Sequence, residues 1–210
     1  MDVITQYFSE FTWVKAIDMA GLVLGLVYLW LEFKASIWLW LVSVIMPIVH
    51  GYLYWARGLY ADFGMEVYYV LAAVYGYAMW RWARNGKGTK GDKAAERPIT
   101  RFPLRRVLPV ALIGLALWGA IYWVLITFTD SSVPVCDSFT TALSMVALWA
   151  LAQKYAEQWL LWLVVDAVCT VLYIYKQIPF TAGLYGFYTV MAVLGYRSWL
   201  RKMAASSQTT

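Results

Sequence analysis

Val74-Tyr-Gly-Tyr-Ala-Met-Trp80 returns 119 residues later as Val193-Leu-Gly-Tyr-Arg-Ser-Trp199, and this pair of segments decides the fold. At the same offset Asp18 recurs as Asp137, Trp30 as Trp149, Trp40 as Trp159, Tyr54 as Tyr173, Gly64 as Gly183 and Tyr69 as Tyr188. Residues 18–80 align with 137–199 without a gap, and roughly a quarter of the 63 pairs are identical. The matches run through three hydrophobic segments and the turns between them, so shared composition does not account for them. The chain is a tandem repeat whose units each carry three apolar stretches.

Composition fixes the class. With 62% hydrophobic residues, 14% charged and thirteen Trp in 210 residues, a water-soluble domain would have no interior large enough for its apolar surface. The expectation is an all-α polytopic membrane protein, because about 20 apolar residues in a helix cross a bilayer. Helices are expected at 16–31, 37–55, 65–82, 107–128, 137–152, 159–175 and 180–199. The opening Met1-Asp-Val-Ile-Thr-Gln-Tyr-Phe-Ser-Glu10 has no basic n-region and does not read as a cleaved signal peptide.

Seven spans impose a geometry. Two three-helix units joined directly would run in opposite directions, and one extra helix at 107–128 restores the same direction. The plan is therefore 3+1+3 with parallel repeats: a first repeat at 1–83, a basic loop at 84–106, the linker helix at 107–128, a second repeat at 129–202 and a tail at 203–210. Charge tests the plan independently. Stretch 81–106 holds nine Lys or Arg, and with Lys34, Lys154, Arg197, Arg201 and Lys202 it puts 14 basic residues on one side against Lys15, Arg57 and Lys176 on the other. The positive-inside rule then places the N-terminus outside and the C-terminus in the cytoplasm of a cell inner membrane. Topology accounts for the net charge of +5, so no nucleic-acid partner is needed; the basic stretch reads as linker, with Gly86-Lys-Gly-Thr-Lys-Gly91 its flexible part.

One His, two Cys and no CxxC, HExxH, Walker-type or GxGxxG pattern leave no basis for a metal site, a cofactor or nucleotide-driven pumping. The chain is not expected to be an enzyme. Cys136 and Cys169 read as free thiols. His50, three positions after Pro47, reads as a satisfied polar residue beside a helix kink in preference to a proton-linked group.

Helix 159–175 carries the candidate site. Gln158, Trp162, Asp166 and Thr170 are spaced four apart, and Trp159 and Tyr173 flank them, so one face of an apolar helix bears an amide, indoles, a carboxylate, a hydroxyl and a phenol. A carboxylate at mid-span costs about 2.5–3.5 kcal/mol on insertion scales, so Asp166 must face a cavity or a partner. The first repeat has Leu39, Ser43, Pro47 and Gly51 at the equivalent positions. The scaffold is duplicated and the polar face is not, which favours a functional role. Tyr69 and Tyr188 lie deeper than the other matched aromatics and are candidates to line the path. Tyr77, Trp80, Tyr196 and Trp199 fit interfacial or packing roles, and Glu66 fits a solvated or paired position at the rim.

Tyr155-Ala-Glu-Gln-Trp-Leu-Leu-Trp-Leu-Val-Val-Asp166, with Leu172-Tyr-Ile-Tyr-Lys176 and Gly195-Tyr-Arg-Ser-Trp199, resembles the signature region of the PnuC vitamin transporters. Val74–Trp80 is similar to the motif that ends their third helix, and Asp137-Ser-Phe-Thr-Thr-Ala-Leu-Ser144 to the start of their fifth. The resemblance implies a SWEET-like fold and uptake of an unphosphorylated B-vitamin precursor by facilitated diffusion. A cytoplasmic vitamin kinase would trap the product. Nicotinamide riboside is the substrate it implies first, with thiamine as the alternative and riboflavin also proposed for relatives. Both leading candidates are cationic aromatics, suited to indoles beside a carboxylate. Gln158 stands where many nicotinamide riboside members have Asn, and Tyr77 where Trp is common. An ion-coupled symporter and a non-transporting scaffold are the other function classes, and a homo-oligomer is left open.

Overall fold

The computed structural model describes residues 13–56, 60–82, 97–177 and 179–207. The opening segment Met1–Glu10, the Gly86–Gly91 part of the basic loop and the last three residues of the tail lie outside them. The described residues form seven α-helices: α1 (Trp13–Lys34), α2 (Trp38–Ala56), α3 (Tyr60–Trp82), α4 (Val107–Phe128), α5 (Pro134–Ala152), α6 (Gln158–Tyr175) and α7 (Pro179–Ser207). Each coincides with an expected span, and the differences are at the ends. Helix α7 continues eight residues past 199 into what the sequence assigns to a tail, because hydropathy marks where a helix leaves apolar surroundings, not where its hydrogen bonds stop; Lys202-Met-Ala-Ala205 are good helix formers. Helix α3 starts at Tyr60 instead of 65 for the same reason. Among the described residues three helical segments are long and apolar enough to cross a membrane, Leu104–Phe128, Pro134–Ala152 and Gln158–Tyr175.

The chain divides into two compact units, Met1–Tyr77 and Ala78–Thr210. Each contains the same local devices 119 residues apart. In the first, α1 ends on Ala35 in the left-handed region (φ 56°), with Ala35 N–H donating to the Glu32 carbonyl and Ser36 N–H to that of Leu31, both at 2.9 Å. In the second, α5 ends on Lys154 (φ 53°), with Lys154 N–H donating to Leu151 and Tyr155 N–H to Ala150 at 2.8 and 3.0 Å. This crossed pair of bonds satisfies the last carbonyls of a helix that turns back sharply, and Gly is its usual residue. At 154 a non-Gly residue has a use: the Lys154 ammonium lies 4.0 Å from the Trp80 ring centroid.

The repeated Gly and Trp explain each other. A Cβ on Gly76 would clash with the Trp40 ring, and one on Gly195 would lie 2.6 Å from the Trp159 ring. Glycine lets each indole lie flat on the backbone of a later helix of its own unit. Trp80 and Trp199 are fully buried. Their role is therefore packing and not the interfacial one the sequence also allowed: Trp80 Nε1 donates to the Leu151 carbonyl at 3.2 Å, a second bond on an acceptor that the Lys154 N–H already uses at the end of α5. Tyr77 is exposed.

In the first unit Glu66 Oε1 lies 3.7 Å from His50 Nδ1, so each polar group has the other as a neighbour. In the second unit α4 packs on α5, α5 on α6, and α6 on α7. Pro134 starts α5, a position where its missing N–H has no cost. Asp137 in that first turn accepts from the Ser131 hydroxyl at 2.8 Å and lies 3.5 Å from Lys176 Nζ at the end of α6, fixing the two helices antiparallel. Both cysteines are free thiols, Cys169 buried and Cys136 half-buried.

Residues 97–106, part of the sequence-assigned basic loop, are folded against the α5–α6 turn. Thr100 pairs in parallel with Tyr155: Thr100 N–H donates to the Lys154 carbonyl and Ala156 N–H to the Thr100 carbonyl, each at 3.0 Å. This strap is an ordered part of the second unit.

Candidate functional site

The polar face of α6 begins with the α6 entry turn. Tyr155, Ala156, Trp159 and Gln158 are all buried, and Gln158 opens the helix with its whole side chain shielded. Neither its Oε1 nor its Nε2 has a hydrogen-bond partner among the described residues, and the buried indole nitrogens of Trp159 and Trp162 have none either. Native interiors pair nearly all such atoms, and each one left unpaired costs about 1–3 kcal/mol. Four on two turns of one helix is a cost that a protein bears where something else supplies the partners. Leu39, equivalent to Gln158, is just as fully buried. The fold needs only an apolar side chain at this position.

Further along α6, Asp166 is 7% exposed, and no hydrogen bond or ion pair reaches its carboxylate among the described residues. Tyr173 stacks on Tyr185 with centroids 5.2 Å apart and an interplanar angle of 14°, and Tyr188 meets Tyr185 edge-on at 6.0 Å. Thr170 faces α7 at Gly186, but its hydroxyl donates to the Asp166 carbonyl at 2.7 Å, so only its lone pairs remain for a ligand. Trp159 lies over Gly195 and edge-on to Trp199 at 6.0 Å; its ring is packing and its N–H is the part left over. Trp159, Thr170, Tyr173 and Tyr188 thus meet where α6 packs on α7 in the second unit, and four-residue spacing puts Gln158, Trp162 and Asp166 on the same face of α6. Tyr69 belongs to the first unit, 38% exposed and edge-on to Tyr68.

Two groups of residues escape the sequence reading. Tyr185 is the centre of the aromatic stack, but its repeat equivalent is Glu66, so the duplication gives no signal for it; the three-residue spacing to Tyr188 is the available clue. The second group is the latch at the start of α6. Glu157 accepts from Arg101 Nη1 at 3.1 Å and from the Phe102 N–H at 2.7 Å, while Arg101 also donates to the Tyr196 hydroxyl at 2.9 Å. Arg97 donates to Gln153 Oε1 at 2.7 Å. The Glu157 bond, then the Tyr196 hydroxyl, hold the Arg101 guanidinium above its ordinary pKa. The latch fixes the turn that delivers Gln158.

Apolar helices with one shielded, unpaired polar face and a lone carboxylate define a multi-pass membrane protein of the transporter type. The chain belongs to the nicotinamide mononucleotide transporter family, the family of PnuC, whose model matches residues 15–201. It is 28% identical over 185 residues to the riboflavin/roseoflavin transporter RibM of Streptomyces davaonensis, covering 87% of this chain and 83% of that protein. It is 22% identical over 215 residues to the nicotinamide riboside transporter PnuC of Escherichia coli, covering 91% and 86%. Its fold is similar to the crystal structure of a vitamin B3 transporter PnuC, with a TM-score of 0.64 at 24% identity over 87% of this chain and 80% of that one. These relatives are transporters and not enzymes.

Proposed function

We propose that this protein carries an unphosphorylated aromatic vitamin across the cell membrane by facilitated diffusion, with nicotinamide riboside as the first substrate. The observation that carries the reading is the set of four buried polar atoms on Gln158, Trp159 and Trp162 that have no partner among the described residues, on the same helical face as the buried Asp166 carboxylate. From Gln158 to Asp166 is eight residues, about 12 Å along a helix at about 1.5 Å per residue, the scale of a nucleoside. An amide and indole N–H groups suit a ribose or a carboxamide. The carboxylate and the Tyr173, Tyr185 and Tyr188 rings suit a pyridinium. The name of the Escherichia coli relative supports the same substrate. Tyr69 is assigned to the path as the repeat counterpart of Tyr188.

The 3+1+3 plan with parallel repeats is supported by the duplicated caps at Ala35 and Lys154 and the duplicated Trp–Gly contacts. The charge split supports an outside N-terminus. Net uptake without an ion gradient requires consumption of the product inside the cell, for which phosphorylation by a vitamin kinase is the simplest route. A second reading, riboflavin, is favoured by the RibM relative; riboflavin is neutral and would leave Asp166 without a charge to meet.

Gln158→Leu tests the site. It installs the residue that the first repeat buries at the same place. Removing two unsatisfied atoms should hold or raise the melting temperature while binding of nicotinamide riboside, titrated by calorimetry, falls at least about tenfold, one good hydrogen bond's worth. A stable variant with unchanged affinity would exclude the amide from the site.

A further inference from the structure

A cavity lies on the side of α6 opposite its polar face. It is a groove of about 630 Å³ between α4, α5 and the face of α6 that bears Leu160 and Leu161, with Gly114 and Trp118 in its wall. It shares no residue with the polar face of Gln158, Trp162 and Asp166. Its walls are apolar apart from Glu157 at one end, and that carboxylate is already engaged by Arg101 and the Phe102 N–H. No residue of α4 is buried, so the groove opens at the surface of the second unit.

Length and charge say what fits it. From Val107 to Trp118 the groove follows α4 for eleven residues, about 16 Å, close to the depth of one leaflet in a hydrocarbon core about 30 Å thick. At the mouth, the turn Leu104–Arg106 places Arg105 and Arg106 exposed beside Leu104, which lines the groove. Arg105 makes no hydrogen bond or ion pair among the described residues, and Arg106 uses one N–H on the Tyr155 hydroxyl at 2.9 Å. With Arg101 on Glu157, three guanidinium groups stand at the mouth against the one carboxylate of Glu157 among the described residues. A leaflet-deep apolar channel with an uncompensated cationic mouth matches an acyl chain joined to an anionic headgroup.

We propose that this groove is a binding site for an anionic phospholipid, one acyl chain lying between α4 and α5 and the phosphate on Arg105 and Arg106. Every lipid-facing groove holds acyl chains in a bilayer; the content of the assignment is headgroup selection by the arginine pair. By placing charge on the strap, the lipid would brace the segment that fixes the start of α6.

The full-length protein, purified and stripped of lipid, is titrated with dioleoyl-phosphatidylglycerol and with dioleoyl-phosphatidylcholine, and bound lipid is counted by native mass spectrometry. Phosphatidylglycerol should bind at least tenfold tighter. Arg105→Gln, which breaks no hydrogen bond or ion pair among the described residues, should weaken phosphatidylglycerol about fivefold, the effect of one basic residue at an anionic surface, and leave phosphatidylcholine unchanged. Gly114→Leu, which grows a side chain into the groove, should remove binding of both. Ala111→Phe does the same from the next turn should the first variant misfold. Equal affinity for the two lipids, or indifference to Arg105→Gln, overturns the assignment. So does phosphatidylglycerol binding that survives a filled groove, or an oligomer that Gly114→Leu dissociates, which would make a second copy of the chain the occupant.

Discussion

Three glycines of α7 differ in one respect only, what a methyl group would meet. A Cβ on Gly183 has no heavy atom within 4 Å, one on Gly186 lies 3.9 Å from the Thr170 methyl, and one on Gly195 lies 2.6, 2.6 and 2.7 Å from three atoms of the Trp159 ring. Replacing Gly by Ala inside a helix gains about 0.5–1 kcal/mol from the unfolded chain's lost freedom. Gly183→Ala and Gly186→Ala should therefore leave stability unchanged or slightly raised. Gly195→Ala must push the indole off the helix, and overpacking of a filled interior costs about 1–3 kcal/mol. The ring has nowhere to go, being 1% exposed and held edge-on by the fully buried Trp199. The net loss is about 1–2 kcal/mol, or about 2–8 °C in melting temperature for a chain of this size. Intrinsic tryptophan fluorescence of the purified protein on a temperature ramp reads this directly. Gly76→Ala, against Trp40, should behave like Gly195→Ala. If Gly195→Ala melts with Gly183→Ala, the indole moves at no cost and the repeated Gly and Trp are not a packing pair.

Asp166→Asn should weaken nicotinamide riboside about 10- to 100-fold, the range of a hydrogen bond to a charged group, and spare neutral riboflavin; parallel calorimetric titrations give both numbers, and equal loss of both ligands would assign Asp166 a structural role. Glu157→Ala removes the acceptor of Arg101 and of the Phe102 N–H, so amide exchange across residues 97–102 should quicken about tenfold with α4 unaffected; unchanged exchange would mean that the backbone pairing at Thr100 holds the strap alone. In intact cells a membrane-impermeant maleimide should modify half-buried Cys136 and spare buried Cys169, and protection of Cys136 together with labelling in opened cells would reverse the assigned orientation.

The sequence alone determined the helices and their duplication. Apolar runs and the 119-residue offset are properties of the chain in one dimension, and a membrane forces every backbone polar group in such a run into a helix. It also marked most of the polar face, because residues four apart on one helix share a side whatever packs against it. Which of those groups are left unpaired was decided only in three dimensions. Thr170 looks equal to Gln158 in sequence, yet its hydroxyl has a carbonyl to bond while the amide of Gln158 has none. Trp159 reads as an aromatic face for a ligand, and the absent side chain of Gly195 makes it a packing element instead. The strap was invisible for the same reason: Arg101 meets Glu157 and Tyr196 across 56 and 95 residues of chain, and a run of basic residues reads as solvated linker until the fold brings a buried turn with free acceptors against it. Periodicity reports which side of a helix a residue occupies. Only the neighbouring helices settle whether that side is filled, paired or left open for something else.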